Sequence, residues 1–413
     1  MTVDIRTAPT PAFTLRPYQH DAVQAGLAYL HNPRLAGRHG LIVAPTGSGK
    51  SLVIAGLAAG LNGPCVVFQP SKEILEQNAA KLTAYGYRPA VFSASLGRRE
   101  IGAITLATIG SVVRQADAFR DLPYVLIDEC HLVNAKGGMY ADFMGALPQA
   151  RILGLTATPY RLASNSLGSQ LRFLTRTRPR VFRDVVHHTQ VGDLFRAGYL
   201  SPLTYDVNPI VNPELLQLNT TGADYTDASV QRHFAAIGFG SRLRDVVLQQ
   251  LAAGRKNVLV FTRFTEESRQ LAAQIPGAAV VTAETPAPER ARILADFKSG
   301  RLRVVSNVGI VAIGFDYPEL ECVVLARPTV SLALYYQQCG RAVRPHPQKP
   351  TAHVVDLVGL VKQFGRIEDL TLTPGGAKGD QWVVASGSRP LTNLYFAPRG
   401  GQTAAAARTR KGW

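Results

Sequence analysis

Short apolar runs alternate with longer amphipathic stretches twice along this chain, and that alternation restricts it to folds built on parallel sheets. In the first half, Gly40–Ala44 (GLIVA), Cys65–Gln69 (CVVFQ), Ile104–Ala107 (ITLA), Tyr124–Asp128 (YVLID) and Arg151–Leu155 (RILGL) are rich in Val, Ile and Leu and bounded by turn residues. Runs of this kind read as buried strands. Between them lie helical patterns such as Ser71–Tyr85, where Ile74, Leu75, Asn78 and Leu82 recur at helical spacing behind a Ser71 N-cap. Strand–helix alternation predicts a parallel sheet with helices on both faces.

The pattern restarts after about residue 240. Asn257–Phe261, Ala279–Thr282, Arg303–Ser306 and Glu321–Ala326 are strand-like, and Arg242–Leu251, Glu266–Gln274, Pro288–Phe297 and Ser331–Val343 are helix-like. Pro202–Asp227, rich in Pro, Asn, Thr and Asp, predicts an irregular or hairpin-containing connection. Two α/β domains of similar topology follow, and 413 residues are enough for each to bury its own core. From Thr371 onward Gly, Ala, Ser and Pro dominate, with six basic residues against one acid. The last dozen residues are not expected to pack.

Composition removes several classes. Hydrophobic residues make up 46% and charged residues 18%, the balance of a folded chain. The longest apolar run, Leu52–Leu61, is ten residues, short of the ~20 that a membrane helix needs. Four scattered cysteines (Cys65, Cys130, Cys322, Cys339) exclude a CxxC zinc site and make no disulfide framework. Met1–Pro11 lacks the basic and apolar regions of a signal peptide. A cytoplasmic protein of a bacterial or phage-infected cell is expected, with no membrane partner. Lys and Arg exceed Asp and Glu by 45 to 29, a net charge of +16, which points to a polyanionic partner such as nucleic acid.

The segment Ala44-Pro-Thr-Gly-Ser-Gly-Lys-Ser51 lies between a predicted strand and a predicted helix and matches G-x-x-x-x-G-K-[ST], with Ala44 in the first glycine's place. Gly47 and Gly49 let the backbone of Thr46–Gly49, including Ser48, curl its N–H groups toward phosphate oxygens. The helix beginning near Lys50 adds its positive end. Lys50 would reach the β- and γ-phosphates, and the Ser51 hydroxyl would ligate Mg²⁺. Asp128-Glu-Cys-His131 ends the strand YVLID, so its acids fall at the carboxyl end of a parallel strand, where such sheets bind ligands. Asp128 would hold Mg²⁺ through water and Glu129 would orient the attacking water.

These segments, followed by Thr156-Ala-Thr-Pro159 and Gln337-Gln-Cys-Gly-Arg-Ala-Val-Arg344, resemble in order motifs I, II, III and VI of superfamily two DEAD/DEAH-box helicases. Within that superfamily, LRPYQ, DECHL, GLTATPYR, GFDYP and YQQCGRAVRP resemble the RadD branch and related phage helicases. The resemblance implies two RecA-like domains with an ATP cleft between them. Residues 1–200 would be the N-terminal ATP-binding domain, 201–239 a connecting segment, 240–370 the C-terminal helicase domain and 371–413 a basic, partly disordered tail. ATP and Mg²⁺ are the implied cofactors. DNA is favoured over RNA, as single strands or branched junctions.

By the same resemblance, Gln19 would read the adenine edge with its donor and acceptor, flanked by Arg16 and Tyr18. Arg341 and Arg344 would stabilise charge on the transferring phosphoryl, and Gln337 would contact it or the attacking water. Their spacing puts these three on one face of the predicted helix. Asp316, in Gly314-Phe-Asp-Tyr-Pro318, would lie near the ribose, and Ile313 stands where relatives often carry Thr or Arg. Pro70, Gln77, Thr108, Gly110, Ser111, Thr262 and Arg263 resemble strand-contacting segments, which grip backbones without reading sequence. Thr156 and Thr158 would link the water site to the strand site. The arginine-rich run Arg172–Arg183, interleaved with Phe173 and Phe182, fits either a backbone-tracking segment or a solvated charge run. His187-His188 is expected as an exposed pair. The motifs encode ATP-coupled closure rather than strand separation. An ATP-switched clamp or annealing factor without processive unwinding therefore stays open, as does the motor subunit of a restriction system.

Overall fold

The computed structural model describes residues 14–165, 168–309, 316–375, 381–393 and 395–396. Motif-V residues 310–315, including Ile313, and most of the basic tail lie outside them. The chain divides into two compact units, the first comprising Met1–Arg161, Phe173–Leu194 and Leu372–Val383, the second Leu162–Arg172, Phe195–Thr371 and Val384–Trp413.

The first unit contains α1 (Pro17–His31), β1 (His39–Val43), α2 (Lys50–Gly60), β2 (Cys65–Phe68), α3 (Lys72–Ala84), β3 (Ala90–Ser93), β4 (Arg98–Arg99) and β5 (Ile104–Ala107). These are followed by α4 (Ile109–Val112), β6 (Tyr124–Asp128), α5 (Met139–Ala146) and β7 (Arg151–Thr156). β8 (Tyr160–Asn165) and β9 (Gly168–Phe173), neighbours in a small sheet that falls mainly in the second unit, precede β10 (Phe182–His188). The sheet order is β10-β1-β7-β6-β2-β5-β3-β4, parallel except for the β3–β4 edge pair. Strands buried on both faces read as continuous apolar runs, which is why GLIVA and YVLID were legible. One face packs Val23 and Leu30 of α1, Val53 and Leu57 of α2 and Leu75 and Leu82 of α3 against Ile42, Val67, Leu126 and Leu153. The other carries edge-to-face aromatics, with Phe68 4.9 Å from Phe143 and Phe92 5.1 Å from Phe119.

Phe173 and Phe182, the aromatics of the arginine-rich run, are buried anchors, while Arg178, Arg180 and Arg183 are exposed. The run is therefore split between core and surface. His187 and His188, expected as an exposed pair, are half-buried in β10, and burial lowers both imidazole pKa values. Residues from far along the chain complete this unit. The Gln190 amide donates to Leu372 O (2.6 Å) and accepts from Leu372 N (2.9 Å), and Trp382 meets the His188 ring at 4.9 Å.

The second unit follows α6 (Val191–Arg196). It contains β11 (Leu203–Val207), α7 (Asp227–Ile237), α8 (Phe239–Ala252), β12 (Val258–Phe261), α9 (Thr265–Gln274), β13 (Ala278–Val281), α10 (Ala287–Lys298) and β14 (Val304–Asn307). Next come β15 (Cys322–Leu325), α11 (Leu332–Cys339), β16 (Ala352–Asp356) and α12 (Leu360–Phe364). Its sheet runs β11-β16-β15-β12-β14-β13, parallel throughout. The expected connection 201–239 thus supplies an edge strand and a helix. The edge strand LTYDV has only part-buried or exposed residues, so it lacks the apolar run of an interior strand. The tail also begins with structure: β17 (Leu370–Thr373), β18 (Val383–Ser386) and β19 (Arg389–Pro390) form a small sheet, and β20 (Tyr395–Phe396) pairs with β9. The four cysteines are buried and free. No helix among the described residues is long and apolar enough to cross a membrane.

Candidate functional site

The loop 44–49 leaves the carboxyl end of β1, and its start is tied to β7 by Ala44 N donating to Thr156 O (3.0 Å). Ala44 is 3% exposed, so the residue replacing the first glycine faces the core. Gly47 and Gly49 have φ of 82° and 79°, and Gly49 is the N-cap of α2, which starts at Lys50. The left-handed turns need glycine, and they aim backbone donors and the positive helix end at one spot. Thr46, Gly47, Gly49, Lys50 and Ser51 are part-exposed. Ser48 is buried, and its Oγ has no hydrogen-bond partner among the described residues.

Gln19 and Tyr18 hold this loop from α1. Gln19 Nε2 donates to Ser48 O (2.7 Å), Tyr18 OH donates to the same carbonyl (2.8 Å), and Gln19 Oε1 accepts from Arg16 N (3.0 Å). Arg16 Nη1 reaches Tyr18 OH at 3.4 Å. In this structure the residue expected to read adenine braces the phosphate loop, with both ends of its amide bonded within the chain.

Lys50 Nζ donates to Glu129 Oε1 at 2.5 Å. Glu129 holds a left-handed φ of 50° just past the end of β6, and its N–H is capped by Asp128 Oδ1 (2.9 Å). A non-glycine residue in that region is strained, and such strain gathers at functional sites. Glu129 Oε2 lies 3.2 Å from His131 Nδ1 and accepts from Thr156 Oγ1 at 3.3 Å. His131 Nδ1 also meets Thr156 Oγ1 (2.9 Å) and Thr158 Oγ1 (3.1 Å). Burial works to raise the Glu129 carboxyl, but the Lys50 ammonium and His131 override it and hold the group well below the usual carboxylate range. Asp128 goes the other way: burial, then the neighbouring Glu129 charge, push it up to about 7. A buried carboxyl of this kind favours a nearby cation as counter-charge. With the Ser51 hydroxyl and Asp128 as hard oxygen donors and an orphaned Ser48 hydroxyl in the loop, the residues fit a Mg²⁺–nucleoside triphosphate.

The residues expected to touch a strand divide. In the first unit, Gln77 and Gly110 are exposed, while Pro70, Thr108 and Ser111 are partly so. Thr108 Oγ1 and Ser111 Oγ share a bond of 2.8 Å, and Ser111 Oγ accepts from Ala94 N (2.9 Å). In the second unit, Thr262 is 1% exposed and shares a 2.6 Å bond with Ser268 Oγ. Arg263 donates to Asp227 (2.9 Å), Asp224 (3.2 Å), Tyr225 O (2.6 Å) and Pro328 O (3.3 Å). Neither is presented to a strand in this arrangement. Arg263 instead clamps the segment 224–227 to its own unit.

The arginines also depart from expectation. The helix predicted to run to Val343 ends at Cys339, with Gly340 as C-cap and tight turns from Arg341 N to Gln338 O and Ala342 N to Cys339 O. Gln337 is therefore helical, while Arg341 and Arg344 lie beyond the helix and share no helix face with it. Their segment is fixed through its carbonyls. Lys349 Nζ donates to Ala342 O (2.8 Å), Ser201 N to Val343 O (2.7 Å) and Ser201 Oγ to Arg344 O (3.0 Å). Arg344 is ion-paired with Asp316, so two residues expected at the nucleotide are brought together. Burial lowers the Lys349 ammonium to about 8. Nothing in the sequence motifs marked Ser201 or Lys349.

Comparison with known proteins places the two units. Residues 12–161 match the family described as "Type III restriction enzyme, res subunit", and residues 241–346 match "Helicase conserved C-terminal domain". Among curated relatives, the "51.5 kDa protein" of a Lactococcus phage (isolate 7-9) is 26% identical over 77% of this chain and 65% of its own length. The "Putative ATP-dependent helicase IRC3" of Saccharomyces cerevisiae is 22% identical over 84% of this chain and 51% of its own. The "DNA 3'-5' translocase XPB2" of Sulfurisphaera tokodaii is 24% identical over 80% and 78%. The chain thus spans about half to two thirds of the first two relatives. Among solved structures, the Type ISP restriction-modification enzyme LlaBIII bound to DNA aligns with a TM-score of 0.59 at 16% identity, over 84% of this chain and 28% of that one. A fragment of a putative HsdR subunit of a type I restriction enzyme from Vibrio vulnificus aligns with a TM-score of 0.61 at 18% identity, over 86% and 66%. The fold is that of two RecA-like domains.

Proposed function

We propose that this chain, which carries a superfamily two helicase core, hydrolyses ATP to move along or remodel nucleic acid, with DNA as its substrate. The observation that carries the reading is the convergence of Lys50, Glu129, His131, Thr156 and Thr158 at the carboxyl ends of three neighbouring strands, β1, β6 and β7. Bound ATP with Mg²⁺ supplies the phosphoanhydride that water attacks, a reaction governed by positioning and charge. The backbone of Thr46–Gly49 binds phosphate oxygens, and Lys50 neutralises them. Ser51 and Asp128 would hold the cation. Glu129, kept ionised beside the Lys50 ammonium, orients the water and accepts its proton. Thr156, Thr158 and His131 hold Glu129 in place. Arg341 and Arg344 are proposed to stabilise negative charge on the transferring phosphoryl, and Gln337 and Asp316 are proposed as further nucleotide contacts. DNA is preferred because the archaeal relative is named a DNA translocase and the LlaBIII structure is bound to DNA.

A second reading, the motor subunit of a restriction system, is favoured by the family match over 12–161. It predicts co-purification with a nuclease or methyltransferase subunit.

The test is ATP turnover alone and with single-stranded, forked and branched DNA and with RNA. Stimulation by DNA is expected, and a Lys50→Ala protein with full turnover would overturn the assignment. Arg341→Ala and Arg344→Ala measure whether the second unit takes part in turnover. Duplex unwinding separates a helicase from an ATP-switched clamp or annealing factor.

A further inference from the structure

One buried polar chain leaves the phosphate loop and ends beside the segment expected to touch a strand. Ser51 Oγ donates to Asn78 Oδ1 (2.8 Å), and Asn78 Nδ2 donates to Gln69 Oε1 (2.8 Å). Asn78 is 6% exposed and Gln69 1%. Asn78 lies on α3, flanked along the helix by the core residues Leu75 and Leu82, at a position where periodicity calls for an apolar side chain. Placing an amide there costs free energy unless its groups are bonded. Its neighbour in sequence is Gln77, and Gln69 immediately precedes Pro70.

A serine hydroxyl has one hydrogen and two lone pairs. With the hydrogen committed to Asn78, only acceptor capacity remains, which is what a hard cation requires. A hydroxyl without that anchor is free to rotate and spend its hydrogen on a phosphate oxygen. Outer partners of this kind orient metal ligands and are typically worth ~10–100-fold in metal affinity.

We propose that Asn78 is a positioning residue that fixes the Ser51 hydroxyl as a cation acceptor and ties it to the α3 segment bearing Gln77. This rests on the reading of 44–51 as a triphosphate loop. Asn78 makes no contact with nucleotide itself and acts through Ser51.

The experiment is equilibrium binding of a fluorescent ATP analogue to the full chain, with Mg²⁺ and with EDTA. The proteins compared are wild type, Asn78→Ala, Ser51→Ala and the double variant. Mg²⁺ should strengthen binding to wild type. Asn78→Ala should lose about tenfold of that Mg²⁺-dependent gain, with its metal-free affinity within about twofold of wild type. The double variant should be no worse than Ser51→Ala, because both changes act on one hydroxyl. Gln69→Met, which also removes a buried bond but leaves Ser51–Asn78 intact, should keep most of the gain. If Asn78→Ala does not fold, the near-isosteric Asn78→Leu takes its place with the same expected loss. A folded Asn78 variant with the full Mg²⁺ gain, or additive losses in the double variant, overturns the proposal. Failure of the loop reading looks different: the wild type itself would not bind the analogue, or Lys50→Ala would bind it unchanged, and the proposal would go with it.

Discussion

A β-carbon placed on Gly49 would lie 2.5 Å from Nε2 of Gln19, so the phosphate loop and its brace on α1 are packed with no space between them. Gly49 also holds a φ of 79°, which costs an L-residue about 1–2 kcal/mol. Gly49→Ala should therefore act twice, by straining the loop and by pushing Gln19 off Ser48 O. The expected result is at least a tenfold loss of nucleotide affinity with only a small fall in melting temperature. Isothermal titration and calorimetry on the same sample separate the two.

Glu129→Gln keeps the size of the side chain and removes the charge that Lys50 meets at 2.5 Å. Turnover should fall by ~10²–10⁴-fold, the usual worth of a general base. Nucleotide binding should persist or tighten, since Lys50 no longer has a carboxylate competing with phosphate. Phosphate release together with equilibrium binding checks this, and a parallel collapse of binding would show Glu129 to be structural.

Arg263→Gln is expected to be a stability mutation rather than a nucleic-acid one. The side chain is 8% exposed and bridges Asp224 and Asp227, although Asp227 itself is 70% exposed and its share is screened by solvent. A loss of about 1–2 kcal/mol follows from removing the donor that Asp224, Tyr225 O and Pro328 O share. Denaturant unfolding measures it. Weakened DNA binding with unchanged stability would restore Arg263 to the interface.

Glu267, on α9, has its carboxyl pushed up to about 7 by burial, against an ordinary 4.5, and its Oε2 has no hydrogen-bond partner among the described residues. The folded state then binds more protons than the unfolded state between those values, so stability should decline as pH rises from about 4.5 to about 7. Glu267→Gln should flatten this slope and raise the melting temperature at pH 8 by about 2–4 °C, the shift that 1 kcal/mol gives in a unit of this size. Melting curves from pH 5 to 8 on both proteins test it.

What was legible in the sequence was what is encoded locally. Gly47, Gly49, Lys50 and Ser51 are consecutive or nearly so, and the turn they make is set by local backbone geometry. Asp128 and Glu129 announced themselves because an apolar strand ends on them. Interactions that span long stretches of chain were not readable. Arg263 resembled a strand-contacting residue until Asp224 and Asp227, 39 and 36 residues earlier, closed on it. The helix before Arg341 looked longer than it is because Gly340 and the following turns interrupt a pattern that side-chain spacing alone continues. Asn78 fitted the apolar stripe of α3 and revealed its polar use only when Ser51 and Gln69 stood beside it.

The grip of Gln190 on both backbone atoms of Leu372, with Trp382 against His188, means that the first unit is discontinuous along the chain. A fragment cut after residue 194 would leave His188 facing water where an indole belongs, and Gln190 without the backbone that satisfies it. Dissecting this protein into autonomous halves therefore calls for splicing 372–383 back onto the amino-terminal piece, or for circular permutation, rather than a single cut.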